Sequence, residues 1–241
     1  MRLFYGNKKP EYYKGILIKA DNGLHQQIAE SVLEFGLKED SKILDFGCGE
    51  GALSQRLKDL GFLNILSVDI NKEDFKADTN FSQLDFNNRD SIDKFVHEYE
   101  EHFDLVLGIE VIEHVQNHYD YVRSLKNMVN KDKYILITTP NITSWLSRLY
   151  FLFTGRLHQF MENDISYGHV NPISLWQLKY IFKNEKIELV KQKEIGILPM
   201  FYFSSLRPKQ IVLNLFSLIL TPLMKGEVKF GWCLLVIGKK T

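Results

Sequence analysis

A glycine-rich loop in the first quarter of the chain has the residue types and spacing of a ligand cradle. It reads Asp45-Phe46-Gly47-Cys48-Gly49-Glu50-Gly51. The segment begins with the last two residues of a predicted strand, residues 42–46, and leads into a predicted helix, residues 52–60. Glycines permit positive φ angles and let the backbone approach a ligand closely, while the N-terminus of a helix offers free N–H groups. The segment therefore predicts a binding site for a nucleotide-like molecule.

The chemistry of this loop favours one kind of ligand. Its glycines are evenly spaced, whereas the dinucleotide fingerprint of dehydrogenases has two residues between its second and third glycines. Asp45 stands two residues before the first glycine, where a carboxylate repels a pyrophosphate but suits a positively charged amino group and a sulfonium centre. The loop thus favours S-adenosylmethionine over NAD.

Two more acids follow the next two predicted strands. Asp69 ends the second strand and Asp85 follows the third. A carboxylate at the first position can accept both hydroxyls of a ribose, and the second position is where an adenine edge is expected. Since open α/β sheets bind ligands at the carboxyl ends of their strands, we expect both acids to share one cleft with the loop.

A third set of candidates combines two carboxylates with imidazoles. Glu110, Glu113 and His114 are spaced i, i+3 and i+4, which on a helical turn places them on one side, facing the cleft. With His169 as fourth ligand they predict a site for a divalent cation, and magnesium, manganese, iron and zinc all suit such a set. Alternatively no metal binds: Glu110 contacts the cofactor, Glu113 and His114 cap the start of the helix, and His169 is a loop histidine. Without a metal, His114 and His169 can still act as general bases, and the catalytic candidates are His114, His169 and Glu113. The sequence leaves both interpretations open.

The remaining histidines are weaker candidates. His158 lies in a polar segment that we interpret as a lid over the cleft. The other four are interpreted as surface residues from their context: His25, His97, His102 and His118.

Alternating apolar strand-like and amphipathic segments must position these groups. Strands are predicted at residues 42–46, 65–69, 81–84, 103–109, 134–139, 187–193 and 232–237, and helices at residues 26–35, 52–60, 91–101, 117–130 and 172–183. This alternation predicts an α/β fold, a doubly wound and mostly parallel seven-stranded sheet with helical insertions.

We expect one domain over residues 1–241. Residues 1–40 form an N-terminal helical cap, 42–140 the cofactor-binding core, and 141–171 with 195–230 two insertions on the acceptor side. Thirty basic residues balance thirty acidic ones, so the field that concentrates nucleic acid is missing and nucleic acid is not an expected partner. Two cysteines, Cys48 and Cys233, make a disulfide framework or a Cys-rich zinc site implausible, and a cytoplasmic location is expected.

Apolar residues dominate a part of each insertion, residues 145–153 and residues 211–224, with basic residues nearby. The longer tract falls short of the roughly 20 residues that cross a bilayer as a helix. Either the two tracts pack together as a lid or dimer face, or they contact lipid headgroups at a membrane surface.

Over about residues 25–240 the chain resembles the class I, Rossmann-like methyltransferases that use S-adenosylmethionine. Four segments carry the resemblance: Leu44 to Gly51, Val68-Asp69-Ile70, Phe103-Asp104-Leu105-Val106 and Thr138-Thr139-Pro140-Asn141. The resemblance implies that the loop from Asp45 to Gly51 surrounds the methionine part of the cofactor. It also implies that Asp69 and Ile70 hold the ribose and that Asp85 with Phe86 holds the adenine.

The segment Glu110-Val111-Ile112-Glu113-His114-Val115 resembles the matching segment of ubiquinone-type O-methyltransferases and of their relatives in glycan and natural-product pathways. It resembles the small-RNA 3′-terminal 2′-O-methyltransferases equally, and in those enzymes the four-residue set is associated with a metal. The expected function is O-methylation of a hydroxyl on a small molecule, glycan or lipid-linked intermediate. The alternatives are methylation of an RNA 3′ end and a non-catalytic nucleotide-binding module.

Overall fold

A seven-stranded sheet forms the centre of the molecule in the computed structural model, which describes residues 10–86, 88–196, 219, 223 and 225–241. A separate short hairpin, β1 (Tyr12–Tyr13) and β2 (Ile16–Leu17), precedes it. The strands of the sheet are, in chain order, β3 (Lys42–Phe46), β4 (Asn64–Asp69), β5 (Asn80–Gln83), β6 (Phe103–Ile109), β7 (Val129–Pro140), β8 (Ile187–Ile195) and β9 (Cys233–Lys240).

The strand order is β5-β4-β3-β6-β7-β9-β8. All neighbours pair in parallel except β9, which is antiparallel to both β7 and β8. After β3, the next two strands, β4 and β5, lie on one side of it, and the following strand, β6, lies on its other side. The carboxyl ends of β3 and β6 therefore flank a topological switch point, where such sheets bind ligands. The predicted doubly wound, mostly parallel sheet is confirmed.

Helices cover both faces of this sheet, as parallel strands buried on two sides require. On one face lie α3 (Arg89–Glu98), α4 (His118–Met128) and α7 (Leu175–Asn184), and on the other lie α1 (Leu24–Leu33) and α2 (Ala52–Asp59). Each presents one apolar stripe to the strands: Phe182 of α7 and Leu57 of α2 are almost fully buried. Two further helices, α5 (Trp145–Thr154) and α6 (Glu162–Ile165), follow β7.

Several element boundaries differ from the predictions for local reasons. The predicted helix start at Pro172 is wrong, because Ser174 caps α7 through a reciprocal pair of hydrogen bonds with Gln177. Strand β7 starts at Val129, five residues before the apolar run that predicted it, since Val129 pairs with Phe103 across an irregularity in the ladder. The two-residue strands of the hairpin are too short for a periodic signal.

The first apolar insertion forms α5, with Trp145, Leu146 and Leu149 buried together. The apolar tract of the second predicted insertion, residues 211–224, lies outside the described residues except at positions 219 and 223. Within the part of the chain that the structure describes, no helix combines the length and hydropathy needed to span a membrane.

Candidate active site

The glycine loop turns sharply from β3 into α2. Gly47, Gly49 and Gly51 have φ angles of 101°, 56° and 90°, conformations that other residues rarely adopt. A Cβ on Gly47 would lie 2.3 Å from a methyl group of Val111, and one on Gly51 would lie 2.6 Å from Ala77. The loop backbone therefore packs so closely at these two points that only glycine fits.

Two carboxylates, one at the end of β3 and one at the end of β4, accept hydrogen bonds that hold this loop and the start of α2. Asp69 accepts hydrogen bonds from the backbone N–H of Gly49 and of Ile70, both at 2.8 Å. Asp45 is buried and accepts a hydrogen bond of 2.6 Å from the hydroxyl of Ser54 in α2. Burial raises the pKa of Asp45 to about 6, partly opposed by that hydrogen bond.

A cleft of about 1440 Å³ opens where these strands end. Its cofactor end contains most of the predicted cofactor residues, namely Asp45, Gly47, Cys48, Gly49, Asp69, Ile70, Asp85, Phe86 and Glu110. Phe46 stacks on Phe86 behind this wall, with ring centroids 4.4 Å apart. The same cleft is also lined by His114, His158, His169, Tyr150 and Trp232, and we call this part its acceptor end. One cleft thus joins the glycine loop to a group of histidines.

Glu110 takes a direction that its sequence spacing did not predict. Its φ angle is +53°, and residues 111–114 form a single turn closed by a hydrogen bond from the N–H of His114 to the carbonyl of Val111, in place of the expected helix. Its carboxylate lies 3.4 Å from the thiol of Cys233, which also contacts Asp21 at 3.5 Å. Burial and the charge of Asp21 raise the pKa of Glu110 to about 7. Glu110 therefore faces Asp21 and is not part of the cluster of ligand atoms that the other three residues of the predicted metal set form.

Those three residues do come together. One ligand atom each from Glu113, His114 and His169 lie within 4.8 Å of one another. Glu113 is fully buried and neither of its oxygens has a hydrogen-bond partner among the described residues. Burial and then the charge of Glu110 raise its pKa well above the ordinary value for a carboxyl group, opposed by the backbone and by the nearby hydroxyl of Thr139. A proton on this carboxyl, or a cation beside it, would remove the cost of burying its charge.

The two imidazoles are held in an edge-to-face arrangement, with ring centroids 4.8 Å apart and an angle of 83° between the planes. Burial and then the charge of His169 lower the pKa of His114, opposed by a hydrogen bond to the backbone of Gly168. His169 Nδ1 lies 2.9 Å from the carbonyl oxygen of Gln159. Because a carbonyl only accepts, Nδ1 carries the proton in neutral His169 and Nε2 keeps its lone pair.

Three of the four histidines interpreted as surface residues are buried or half-buried, namely His25, His102 and His118. His25 is only 8% exposed, on the buried face of α1, and burial lowers its pKa to about 3. His118 is half-buried, with Nε2 3.1 Å from the carbonyl oxygen of Asn171. His158, the predicted lid residue, packs edge-to-face on Trp232 with centroids 4.6 Å apart.

Three residues that line the cleft were not predicted. Lys19 and Asp21 lie just after the hairpin, and the side chain of Lys19 passes over Gly49 toward Glu50. Gln159 donates a hydrogen bond of 3.0 Å to Asp21 from its side chain. No periodicity or motif marks these positions, because their role depends on the hairpin folding over α2, where Arg56 stacks on Tyr13.

The cofactor end fits S-adenosylmethionine on its own chemistry. The glycine cradle excludes any Cβ, and the carboxylates of Asp21, Asp45, Asp69 and Glu110 give the wall acidic character. Such a wall stabilises an ammonium and a sulfonium and offers acceptors to ribose hydroxyls, whereas it opposes a pyrophosphate.

Comparison with known proteins agrees with this geometry. Residues 21–192, more than half of the chain, match the profile of a family described as "Methyltransferase domain". The ubiquinone biosynthesis O-methyltransferases of Glaesserella parasuis and Rickettsia typhi are each 29% identical, over 43% and 57% of this chain. The matches span 47% and 56% of those relatives, about half of their length.

The fold has counterparts among solved structures. A SAM-dependent methyltransferase of Archaeoglobus fulgidus superposes with a TM-score of 0.54 at 20% identity, covering 90% of this chain and 94% of the other. At this identity the likeness concerns the fold: a seven-stranded sheet whose carboxyl edge holds the cleft.

Proposed function

Because the chain belongs to the methyltransferase-domain family and has the class I fold, we propose that it transfers a methyl group from S-adenosylmethionine to a hydroxyl of a small acceptor. The observation that carries the proposal is the single cleft that joins the glycine loop to the His114–His169 pair. Two relatives named O-methyltransferases support a hydroxyl as the acceptor group. Residues 42–140 bind the cofactor and 141–171 contribute the acceptor side, where Tyr150 and His158 line the cleft.

The protein's residues divide the work along the cleft. When bound, S-adenosylmethionine would supply an electrophilic methyl group, with S-adenosylhomocysteine as the other product. Asp69 holds the loop through Gly49 and is the candidate acceptor for hydrogen bonds from the ribose hydroxyls. Glu110 and Asp21 would face the positively charged part of S-adenosylmethionine. His169 Nε2 takes the proton that the hydroxyl loses, because its Nδ1–H is tied to Gln159.

A matched pair of histidine variants tests this assignment. H169A removes the base, so we expect the methyl-transfer rate to fall by at least about 100-fold while cofactor affinity stays within twofold. H97A is the control, since His97 lies exposed on α3, and its rate should equal that of the unmodified protein. Transfer of labelled methyl from S-adenosylmethionine into small-molecule, lipid, glycan and RNA fractions of a cell extract is the measurement.

Each outcome of that measurement has a meaning. Label entering the RNA fraction would replace the small acceptor by an RNA end. A full rate in H169A would remove His169 from the chemistry. Cofactor binding without label in any fraction would leave only a nucleotide-binding module.

A divalent cation is a second candidate at the same end of the cleft. The unpartnered carboxyl of Glu113 favours it, since two imidazoles and one carboxylate form a common ligand set for such ions. A cation there lowers the pKa of an acceptor hydroxyl and so replaces the base. Metal analysis of the purified protein, with and without a chelator, tests it. Full activity in metal-free protein would eliminate the cation, and E113Q should then be active.

The exposed end of α5 supports a further proposal, contact with a lipid surface. Phe151, Leu152 and Phe153 are 56%, 72% and 75% exposed beside the acceptor end of the cleft, with Arg156 one turn further on. This combination suits an interface between water and lipid headgroups. Flotation with anionic vesicles at low salt tests it, with F151S/F153S as the variant. Equal flotation of both proteins, or of neither, would refute the proposal.

A further inference from the structure

Asn171 ties the segment that carries His169 to the segment that carries His114. Its backbone N–H donates to the carbonyl of Glu113 at 3.0 Å. Its side-chain amide donates to the carbonyls of Val115 and Gln116 at 2.9 and 3.3 Å. Its own carbonyl accepts from Nε2 of His118 at 3.1 Å. Every polar function of this residue except the amide oxygen is thus directed at residues 113–118.

The segment that this residue anchors is held from one side by α6. Between α6 and α7 the chain runs through residues 166–174 without helix or strand, and the backbone N–H groups of Gly168 and His169 donate to carbonyls of α6 at 2.9 and 3.2 Å. Gly168, with φ of 92°, packs so tightly on His114 that a Cβ there would lie 2.8 Å from Nδ1. Gln159 accepts a hydrogen bond from the His169 ring. Asn171 supplies the hydrogen bonds that hold the other side of this segment to residues 113–116.

We propose that Asn171 is a positioning residue for the acceptor end of the cleft: its side-chain amide holds His169 against His114 and Glu113. The catalytic consequence rests on the proposed function, whereas the anchoring itself does not. An error of about 1 Å in the placement of a catalytic group lowers a rate by about 100-fold, so one side-chain amide can control turnover from outside the reacting atoms.

The hydrogen bonds define which substitutions break the anchor. The carbonyl oxygens of Val115 and Gln116 accept hydrogen bonds from the side-chain amide of Asn171. N171D removes the N–H donors and keeps the size of the side chain, whereas N171A removes the donors and most of the side chain. The backbone hydrogen bonds to Glu113 and His118 survive in both variants, and the fold is therefore retained. Asn64 offers a matched control, because its amide donates to the carbonyl of Asp40 at 2.8 Å from the start of β4, away from the cleft.

The experiment compares N171A, N171D and N64A in three measurements. We expect cofactor affinity, measured by calorimetry, to stay within twofold in all of them. The maximal rate of methyl transfer into the labelled fraction should fall by about 10- to 100-fold in N171A and N171D and stay unchanged in N64A. Amide hydrogen exchange of residues 166–171 should become about tenfold faster in the two Asn171 variants alone, the factor that one lost hydrogen bond gives.

These measurements separate the two proposals. Unchanged exchange of residues 166–171 in N171A, or a full transfer rate with faster exchange, overturns the positioning role. A parallel loss of cofactor affinity and rate would mean general destabilisation and overturns it equally. If the unmodified protein binds S-adenosylmethionine and labels no fraction, the proposed function fails, while the exchange data still decide whether Asn171 anchors the segment.

Discussion

Replacing Gly47 by alanine should weaken the binding of S-adenosylmethionine as well as destabilise the fold. Alanine at a φ of 101° is strained by about 1–3 kcal/mol. Its Cβ would lie 2.3 Å from a methyl group of Val111, and ordinary carbon contacts are about 3.5 Å, so that side chain or the loop must move by roughly 1.2 Å. Val111 follows Glu110 directly and lines the cleft. Overpacking of this kind costs about 1–3 kcal/mol, which predicts a Kd for S-adenosylmethionine roughly 10- to 100-fold higher.

Gly36→Ala separates strain from contact. Gly36 also has a positive φ, 64°, but nothing lies within 4 Å of where its Cβ would be. Calorimetric titration with S-adenosylmethionine and thermal unfolding should be measured on both variants. G36A should lose a few degrees of Tm and keep its affinity, because a cost of about 1 kcal/mol lowers Tm by about 2–4 °C in a domain of this size. Equal affinity in G47A and the unmodified protein would refute the close approach of loop and Val111.

Three further predictions concern buried groups. The pKa of His25 is about 3 in the folded protein and near 6.5 in the unfolded chain, so between these pH values only the unfolded chain binds the extra proton. The free energy of unfolding should therefore fall by about 1.4 kcal/mol per pH unit as the pH drops from 6.5 to 3. Urea titration of H25L should show a weaker dependence of this free energy on pH. The pKa of Asp45 is raised, from 3.8 to about 6, so its burial as an anion destabilises the protein at pH 7. D45N should raise the free energy of unfolding at pH 7 by up to about 3 kcal/mol and weaken cofactor affinity. A lower Tm for D45N would contradict this. The hydroxyl of Tyr121 is buried without a hydrogen-bond partner among the described residues, so Y121F should unfold at the same or a slightly higher temperature, and a loss above about 1 kcal/mol would reveal a missed partner.

The sheet was predictable because its signals are local and repeated. Strands such as Lys42–Phe46 and Phe103–Ile109 are short segments in which apolar residues predominate, since both faces of a parallel sheet are buried. The loop could be predicted for a related reason: three glycines at alternate positions after a strand are typical of a backbone that turns tightly beside a ligand. By contrast, polar residues such as Lys131 to Lys133 conceal the start of β7, where the strand projects beyond the core and faces water.

The acceptor end resisted prediction because it depends on single torsions and on contacts between distant segments. Spacing assigned Glu110 to the side of Glu113 and His114, but one positive φ angle turns its carboxylate toward Asp21, 89 residues away in the sequence. A left-handed conformation at a non-glycine residue has a cost that the surrounding structure must offset. Here the backbone N–H of Glu110 is held by both the carbonyl and the hydroxyl of Thr138 at the end of β7.

This turn determines what each carboxylate can do. Had Glu110 continued a helical turn, it would have joined Glu113 at the proposed cation site and left the cofactor end with less negative charge. Turned away, it adds its charge to that of Asp21 and leaves Glu113 as the one carboxyl group beside the two imidazoles among the described residues. The two ends of the cleft thereby acquire different chemistry within four residues of chain: acidic side chains that suit a cationic methyl donor, and an imidazole pair at the proposed acceptor site. E110Q should accordingly weaken cofactor affinity and leave the exchange of residues 166–171 unchanged, whereas N171A should do the reverse.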